Sequence, residues 1–360
     1  MKTAFASLLT AVLATASVLV SLAVSPASVG AHPKSRDEPP YKTQTFKGIN
    51  ALRSQTSGGS LTVEGGSGTD ARVEMYVRAN NSNGKGELNK EEIEERLADY
   101  DISIRQEGST LIATARSKRD GGWSWNNNKG LSISFKFYTP RAMTTAISTS
   151  GGSIQMSHLT GKQRFKTSGG SMQLTDLKGD IEGSTSGGSI QLANCHDQIT
   201  VETSGGSIDA SDSDGIMRMS TSGGSLKLSG LNGAIKATTS GGSISGDRID
   251  GELITSTSGG SIRIRNMAGS IDAETSAGSV EVDLSRVDKF VKLETSAGSV
   301  RVRMPTNKGM DLDLDGNRVS MQLTNFNGSA EKDRIVGKMN GGGIPVKLTA
   351  TAGNVYVNQN

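Results

Sequence analysis

Cysteine, proline and aromatic residues are all scarce in this chain. Its 360 residues include 1 Cys, 7 Pro and 4% aromatic residues. The single cysteine, Cys195, cannot form an internal disulfide, so a disulfide framework is excluded and packing must supply the stability. The formal net charge is only +3, and no run of Lys or Arg offsets it. This balance argues against nucleic acid as a partner, because nucleic-acid binding requires a clustered basic surface.

The first 31 residues have the pattern of an export signal. Lys2 supplies a positive charge, residues 4–24 are uncharged, and residues 29–31 form a small-residue cleavage site. We expect a mature chain that begins near His32 and resides in the periplasm, on the outer cell surface or outside the cell. The uncharged stretch is also long enough to span a bilayer. Membrane association is therefore expected only through an uncleaved N-terminal segment.

Glycine is abundant, with 46 residues, and much of it follows a strict period. The segment Thr-Ser-Gly-Gly-Ser recurs every 18 residues, and two Thr-Ser-Ala-Gly-Ser variants end the series. The first variant follows after 18 residues and the second after a further 20. A fixed period predicts a solenoid, in which each unit is one coil stacked on the next. The segments start at Thr149, Thr167, Thr185, Thr203, Thr221, Thr239 and Thr257, and the variants at Thr275 and Thr295.

Alignment of these units predicts which side chains point inward. We number each unit from the Thr of its Thr-Ser-Gly-Gly-Ser segment, so that Thr149 is position 1 and Ile154 is position 6. Positions 6 and 8 are mostly apolar with one polar residue between them, which is the alternation of a strand. Position 15 and the next Thr indicate a second strand, and position 11 marks a corner. We therefore expect an all-β parallel β-helix, or β-solenoid, with two short strands in each coil of about 18 residues. The Gly-Gly pair predicts a corner with a positive φ or a close approach to the next coil.

Both ends of the array are expected to be capped. An isolated Thr-Ser-Gly-Gly-Ser turn begins at Thr56, 93 residues before Thr149, which is not a multiple of 18 and indicates an insertion. This α+β insertion includes one helix, with Asn89 as its N-cap and Glu92 at N3. Downstream, residues 310–314 and 319–323 predict a β-hairpin around Asp315-Gly316-Asn317.

The expected organisation has five parts. They are a signal peptide (1–31), a flexible N-terminal segment (32–43), a first coil with a capping region (44–148), the β-solenoid (149–304) and C-terminal capping coils (305–360).

The chain resembles a bacterial family of exported β-strand-repeat proteins, described as candidate adhesins and classed as a domain of unknown function. The resemblance extends from about Phe46 to Val357. It implies a β-helical body, a location in the cell envelope and an adhesive or scaffolding role, with no catalytic residues to transfer. It rests on the Thr-Ser-Gly-Gly-Ser repeats and on residues 137–140, 339–343 and 352–355.

Few residues are candidates for chemistry. His158 and His196 occupy corners of coils two steps apart, which permits a metal pair but offers no further zinc-type ligands, so we interpret them as exposed corner residues. Cys195 falls in the inward column of position 11, so we interpret it as a core residue and not as a nucleophile. We expect no catalytic residue, no metal ligand and no cofactor.

Two acidic segments resemble the opening of a calcium loop. Residues 311–317 read Asp-Leu-Asp-Leu-Asp-Gly-Asn, but the twelfth position is Gln322 and no helices flank the segment. A strand with an outward acidic face explains the pattern without calcium. Residues 212–215, Asp-Ser-Asp-Gly, are a weaker version, for which corner geometry suffices.

One loop is the candidate partner-binding site. Residues 121–128 carry both tryptophans, and Trp123, Trp125 and Asn126 are the residues that we expect to contact a partner. The alternative is that this loop packs on the first coil, since Trp is usually largely buried. The partner is an unidentified surface ligand, either a glycan or a protein.

These observations favour a non-catalytic cell-envelope or surface protein, an adhesin or scaffold that presents an extended solenoid face. The alternative is a polysaccharide-binding or polysaccharide-processing β-helix. Processing would require paired carboxylates, or a metal with a base, in one groove, whereas the outward column of position 7 mixes charges of both signs. Ice binding would require an outward Thr array, but the Thr column has inward parity.

Overall fold

The chain folds almost entirely into strands. The computed structural model describes residues 39–80, 89–118 and 130–359, and the elements below belong to one compact unit, Pro40–Asn360. The predicted signal peptide therefore lies outside the described residues. The one helix in these ranges, α1 (Lys90–Leu97), has eight residues, and no helix there has the length and apolarity of a bilayer span. The all-β class is confirmed.

The strands are numbered along the chain. The first nine are β1 (Lys42–Lys47), β2 (Ala51–Thr56), β3 (Leu61–Gly66), β4 (Asp70–Ala79), β5 (Tyr100–Glu107), β6 (Thr110–Ser117), β7 (Leu131–Pro140), β8 (Thr144–Thr149) and β9 (Ile154–Thr167). The next seven are β10 (Met172–Thr185), β11 (Ile190–Ala193), β12 (His196–Thr203), β13 (Ile208–Ser211), β14 (Asp214–Thr221), β15 (Leu226–Thr239) and β16 (Ile244–Thr257). The last seven are β17 (Ile262–Thr275), β18 (Val280–Thr295), β19 (Val300–Met304), β20 (Met310–Met321), β21 (Phe326–Ala330), β22 (Arg334–Met339) and β23 (Ile344–Gln359).

Each 18-residue unit forms one rung, which pairs in parallel with the next rung. Ile190 lies opposite Ile208, and Ile208 opposite Leu226. All three are fully buried, as are their equivalents along the array. The stacked aliphatic column predicted from position 6 is therefore present. Each fully buried Leu or Ile contributes about 1.5–3 kcal/mol, so successive rungs stabilise one another through this column.

Most rungs differ from the prediction of two separate strands. In β9, β10 and β15–β18 the backbone ladder continues through the corner, so one long strand covers both halves of the rung. The ladder is interrupted after β11 and β13. There the backbone amide of Cys195 donates to the Ser213 hydroxyl (3.0 Å). A side-chain acceptor thus replaces the backbone acceptor at this corner.

The Thr-Ser-Gly-Gly-Ser turns stack through a ladder of buried Thr hydroxyls. The Thr203 hydroxyl donates to the Gly188 carbonyl of the preceding rung (2.8 Å) and accepts from the Gly206 amide of its own turn (3.2 Å). Equivalent bonds recur at Thr167, Thr185, Thr221, Thr239, Thr257, Thr275 and Thr295. The inward parity of the Thr column is explained by these bonds, because they satisfy backbone groups that are buried in the turn.

The second glycine of each turn is required by close approach. A Cβ at Gly206 would overlap the Gly188 carbonyl, whereas a Cβ at Gly205 would meet its nearest atom at 3.5 Å. Ala277 and Ala297 replace the first glycine in the last two turns, where such space exists. Positive φ values occur instead at the other corner, for example 123° at Gly233. The close approach between rungs therefore occurs at the Thr-Ser-Gly-Gly-Ser corner, and the left-handed backbone occurs at the other corner.

At the N-terminal end, the order of the rungs in the stack differs from their order along the chain. Thr56 lies opposite Thr149, and Leu61 opposite Ile154, so the turn that is 93 residues away in sequence is the direct neighbour of the array. The insertion supplies the rung on the outer side, where β6 pairs with β2 and β7 with β3. Antiparallel strands complete this end, with β5 on β6, β4 on β7 and β1 on β4. β1 begins at Lys42, two residues before the expected boundary of the capping region.

The helix of the insertion begins as the sequence predicts. The Asn89 side chain accepts a hydrogen bond from the backbone N–H of Glu92 (2.8 Å), and the Glu92 carboxylate accepts one from the backbone N–H of Asn89 (3.2 Å). This reciprocal pair is a capping box, which satisfies amide groups that the first turn of a helix leaves free.

At the C-terminal end, too, the order of the strands in the stack differs from their order along the chain. β23 lies between the last regular rung and β20, pairing in parallel with β18 and β19 on one side and with β20 on the other. The predicted hairpin around Asp315-Gly316-Asn317 is wrong, because β20 runs continuously through these residues with only a register shift between Gly316 and Arg318. The antiparallel hairpin at this end is formed by β21 and β22, and β22 also pairs with β20.

Candidate functional site

The candidate partner-binding loop lies outside the described residues. Trp123, Trp125 and Asn126 fall between residues 118 and 130. Their role as contact residues stays a prediction.

The two repeat histidines lie at the same corner of the stack, on rungs two steps apart. His158 adopts a left-handed backbone (φ 57°), and its Nε2 lies 4.0 Å from a carboxylate oxygen of Asp176. His196 Nδ1 contacts the Asp214 carboxylate one rung further on. Within the described ranges, no group of three His, Cys, Asp or Glu side chains is arranged to hold a metal ion. Each histidine is thus associated with its own acidic neighbour.

Cys195 occupies the inward column. Its side chain is fully buried, and burial raises the pKa of the thiol to about 11. The thiolate is the nucleophilic form of cysteine, so a raised pKa makes the residue unreactive at neutral pH. This placement agrees with the interpretation of Cys195 as a core residue.

We expect Cys195 to resist thiol reagents in the folded protein. At pH 8, a pKa of about 11 in place of the ordinary 9.0 lowers the thiolate fraction about 100-fold, and burial slows access further. Labelling with a chromogenic disulfide reagent should be complete within minutes in urea and negligible without it. The Cys195→Ala/Gln191→Cys variant, whose thiol is on an exposed position, should react rapidly when folded. Equal native rates for the two proteins would contradict the burial.

The acidic residues 311–315 lie on β20 with alternating orientation. Leu312 and Leu314 are buried, while Asp313 and Asp315 face outward and approach Arg334 at 3.3 and 3.7 Å. Asp311 accepts from the Gly343 amide (3.3 Å). The carboxylates therefore form a row along a strand, and two of them share a cation from the protein. This agrees with the interpretation of the segment as a strand with an outward acidic face.

A shallow depression lies near the N-terminal part of the array. Gly183 has no side chain, and the Phe165 ring occupies the space that a Cβ there would need. Outward residues around the depression include Arg164, Glu182 and Glu202. Arg164 pairs with Glu182 at 2.9 Å. One of the two carboxylates is thus neutralised by a cation, in contrast to the paired free carboxyl groups of glycoside cleavage.

Two tyrosines on the outward faces are covered by cations. The Arg72 guanidinium lies 4.1 Å and the Lys136 ammonium 4.6 Å from the centre of the Tyr138 ring. Arg301 lies 5.3 Å from the ring centre of Tyr356. These rings are therefore engaged in cation–π contacts, which reduces the ring area available for stacking on a sugar.

The outward faces are dominated by ion pairs between successive rungs. We call the side chains at positions 14, 16 and 18 of each unit the second-strand face. On this face Lys162 pairs with Asp180 (3.0 Å), and Lys292 pairs with Asp272 (3.2 Å). Lys166 and Glu202 on this face form no ion pair within the described residues, but neither of them is stacked on a like charge. Each exposed pair contributes little to stability, but it neutralises the charge of its two side chains.

One region of the second-strand face stacks two like charges without an ion pair. Arg218 lies directly opposite Lys236 in the next rung, and no ion pair or side-chain hydrogen bond engages either of them within the described structure. Ile216 and Ile254 flank the two cations and are 45% and 41% exposed. We call Ile216, Arg218, Ala234, Lys236 and Ile254 the cationic patch. The sequence signal for the cationic patch lies in position 16, where Arg218 and Lys236 are stacked, and the mixed charges of position 7 do not reveal it.

Comparison with known proteins identifies the family. The model of the Toastrack DUF4097 family matches residues 41–358, which is most of the chain. The chain belongs to the Toastrack DUF4097 family. The match begins at the start of β1 and ends within β23, so the out-of-order end rungs belong to the Toastrack unit together with the regular rungs. The expected resemblance to a domain family of unknown function is confirmed.

Other comparisons with this Toastrack chain add little. No curated protein matches it. A candidate cell adhesion protein from Clostridium sporogenes is 12% identical with a TM-score of 0.18, covering 89% of this chain and 100% of its own. A candidate adhesin from Bacteroides fragilis is 13% identical with a TM-score of 0.28, covering 73% of this chain and 98% of its own. Superpositions this poor carry no argument about function.

Proposed function

We propose that the protein is a non-catalytic component of the cell envelope or cell surface, an adhesin or scaffold that binds its partner through the outward faces of the stacked rungs. The observation that carries this proposal is the register of the rungs. Equivalent outward side chains, such as Gln155 and Gln173, lie directly opposite one another over a fully buried core. Such a surface offers area and repetition to a large partner, as solenoids generally do.

Two features of the sequence support an exported location. Residues 1–31 have the charge, apolar stretch and small-residue site of a secretion signal. A single cysteine cannot form an internal disulfide, so the fold does not depend on the redox state of its compartment, which is compatible with export.

Cell fractionation tests this proposal. We expect the full chain, detected through a C-terminal tag, in the envelope or the medium with a new N-terminus near His32. The matched chain without residues 2–31 should remain in the cytoplasm. The exported protein should then be retained on an array of glycans and surface proteins without turnover of any of them. A full chain found only in the cytoplasm would contradict the proposal.

A polysaccharide-binding or polysaccharide-processing role is the second candidate. The depression beside Arg164, Glu182 and Glu202 favours binding more than processing, because it places charged side chains that can hydrogen-bond to sugar hydroxyls around a concave surface, while Glu182 is paired with Arg164. The purified protein should then shorten or bind a polysaccharide in a depolymerisation screen. Loss of that activity in Glu182→Gln, but not in Glu281→Gln on the other face, would assign it to the depression.

A further inference from the structure

The cationic patch is unusual because two positive side chains, Arg218 and Lys236, lie directly opposite each other without a carboxylate that pairs with either of them. Like charges directly opposite on neighbouring strands destabilise a sheet. Lys292 and Lys347 are also stacked in register on this face, but both contact the Glu294 carboxylate. Arg218 and Lys236 have no such carboxylate between or beside them within ion-pair distance, in the part of the chain that the structure describes.

The nearest acidic positions do not compensate the patch. Glu252 follows Ala234 in register, but its carboxylate bonds Lys289 at 3.2 Å. Glu202 lies in the rung before Arg218, two positions further along the strand, and forms no ion pair with it. The directly preceding residue in the column of Arg218 is Thr200, which is uncharged. The two cations therefore present their charge to the surroundings of the protein.

Exposed aliphatic side chains lie beside these cations. Four large hydrophobic residues of the described chain are strongly exposed, and two of them, Ile216 and Ile254, belong to the patch. Ile216 is stacked on Ala234, and Lys236 on Ile254, so the apolar and cationic side chains are contiguous. Uncompensated charge next to exposed aliphatic surface indicates a site for a partner that is both anionic and apolar.

We propose that the cationic patch docks an extended acidic peptide segment of a partner protein, one that presents an aliphatic side chain and, two residues along, a carboxylate. Ile216 and Arg218 are two residues apart on one strand, which separates their side chains by about 6.6–6.8 Å. An extended peptide that runs along the rung has the same spacing between its alternate side chains. Its aliphatic residue then packs on Ile216 and Ala234 while its carboxylate lies between Arg218 and Lys236.

This proposal rests on the proposed binding role and specifies the face and the partner chemistry. Charge complementarity favours a peptide over the other anionic partners. Vesicles and acidic polysaccharides carry dense negative charge and call for many cations, whereas Lys162, Arg164 and Lys292 on the same face are already paired and Lys166 is not stacked on a second cation. The exposed isoleucines would also remain uncovered by a polysaccharide.

Peptide binding measured by fluorescence anisotropy tests the proposal. The probe is a labelled peptide of repeated Leu-Ser-Glu-Ser, and the comparison peptides replace Glu by Gln or Leu by Ser. We expect the full chain to bind the probe at least 10-fold more tightly than either comparison peptide, and to bind it more weakly as salt rises. Arg218→Gln/Lys236→Gln should weaken binding at least 10-fold, and Ile216→Ser/Ile254→Ser similarly.

The matched control is Lys162→Gln/Arg164→Gln, which removes the same charge from positions 14 and 16 of one rung, three rungs before Arg218, and should change the affinity less than 2-fold. Equal loss in this control, equal binding of the three peptides, or no binding of the probe would overturn the proposal. So would binding of phosphatidylglycerol vesicles or polygalacturonate, in place of the peptide, that depends on Arg218 and Lys236. Export and retention of the Arg218→Gln/Lys236→Gln variant on surface ligands would leave the broader binding role standing.

Discussion

Gly206→Ala is expected to destabilise the protein by about 3 kcal/mol, whereas Gly205→Ala should change its stability by less than about 0.5 kcal/mol. The two glycines are adjacent and differ in what a methyl group would meet. At Gly206 a Cβ would overlap the carbonyl of Gly188, a backbone group held by the rung ladder. At Gly205 the nearest atom, the carbonyl oxygen of Ser186, would lie at an ordinary 3.5 Å.

The urea midpoint of each variant, followed by far-ultraviolet circular dichroism, measures this difference. The overlap at Gly206 forces two rungs apart, which also strains the hydrogen bond from the Thr203 hydroxyl to the Gly188 carbonyl. Ala277 and Ala297 show that the chain itself accepts alanine at the first glycine of a turn. Identical midpoints for Gly205→Ala and Gly206→Ala would mean that the rungs are not held this closely.

Removal of residues 344–360 is expected to detach the C-terminal end of the stack. β23 pairs on both sides and buries Val346, Leu348, Ala350, Val355 and Val357. At about 1.5–3 kcal/mol for each larger aliphatic side chain, its loss costs on the order of 10 kcal/mol locally. β20–β22 would then have no rung to pair with, and the unpaired edges of β18 and β19 would promote aggregation.

Limited trypsin digestion with mass spectrometry can measure this loss. In the truncated chain, cleavage at Arg318 and Lys332 should be rapid, because residues 305–343 are no longer held. In the full chain the same sites should be cut slowly. A shorter truncation of residues 358–360 removes only the last pairing with Arg303 and Met304 and should behave like the full chain. Equal protection of Arg318 in both truncations would contradict the interleaved position of β23.

The repeat and its core were predictable because both are local periodic signals. An invariant spacing fixes which residues are stacked, and strand parity fixes which of them point inward, so Ile190, Ile208 and Leu226 could be placed together from sequence. The capping box at Asn89 and Glu92 was predictable for the same reason, since its partners are three residues apart.

The order of the rungs at the two ends was not predictable from local patterns. The turn at Thr56 marks residues 51–66 as a unit separated from the array by an insertion, but it does not show that this unit pairs directly with Thr149, because the pairing joins residues far apart in sequence. At the other end, Asp315-Gly316-Asn317 has the composition of a turn, yet β23 pairs with both halves of β20 and keeps the strand extended. Tertiary pairing here overrides the local preference for a turn.

The candidate site was less predictable than the fold. Its place in the inward column of position 11 identified Cys195 as a core residue, and strand parity identified the outward columns. The cationic patch depends on which outward side chains find a partner across the rungs, and Lys292 with Lys347 shows that the same stacked pair can be compensated. Whether a stacked charge is compensated depends on where the neighbouring side chains lie. An aligned sequence column shows which charges are stacked, but it does not determine those side-chain positions.

The interleaved position of β23 has a mechanical consequence. A tensile load applied along the strand at the C-terminus acts on the ladder to β18 and β19 and on the ladder to β20 at the same time. Both sets of hydrogen bonds must then slide and break together under shear, since neither side can be peeled away first. A tether that holds a cell through this end would therefore resist extraction of its last strand more strongly than a solenoid that ends on an edge strand.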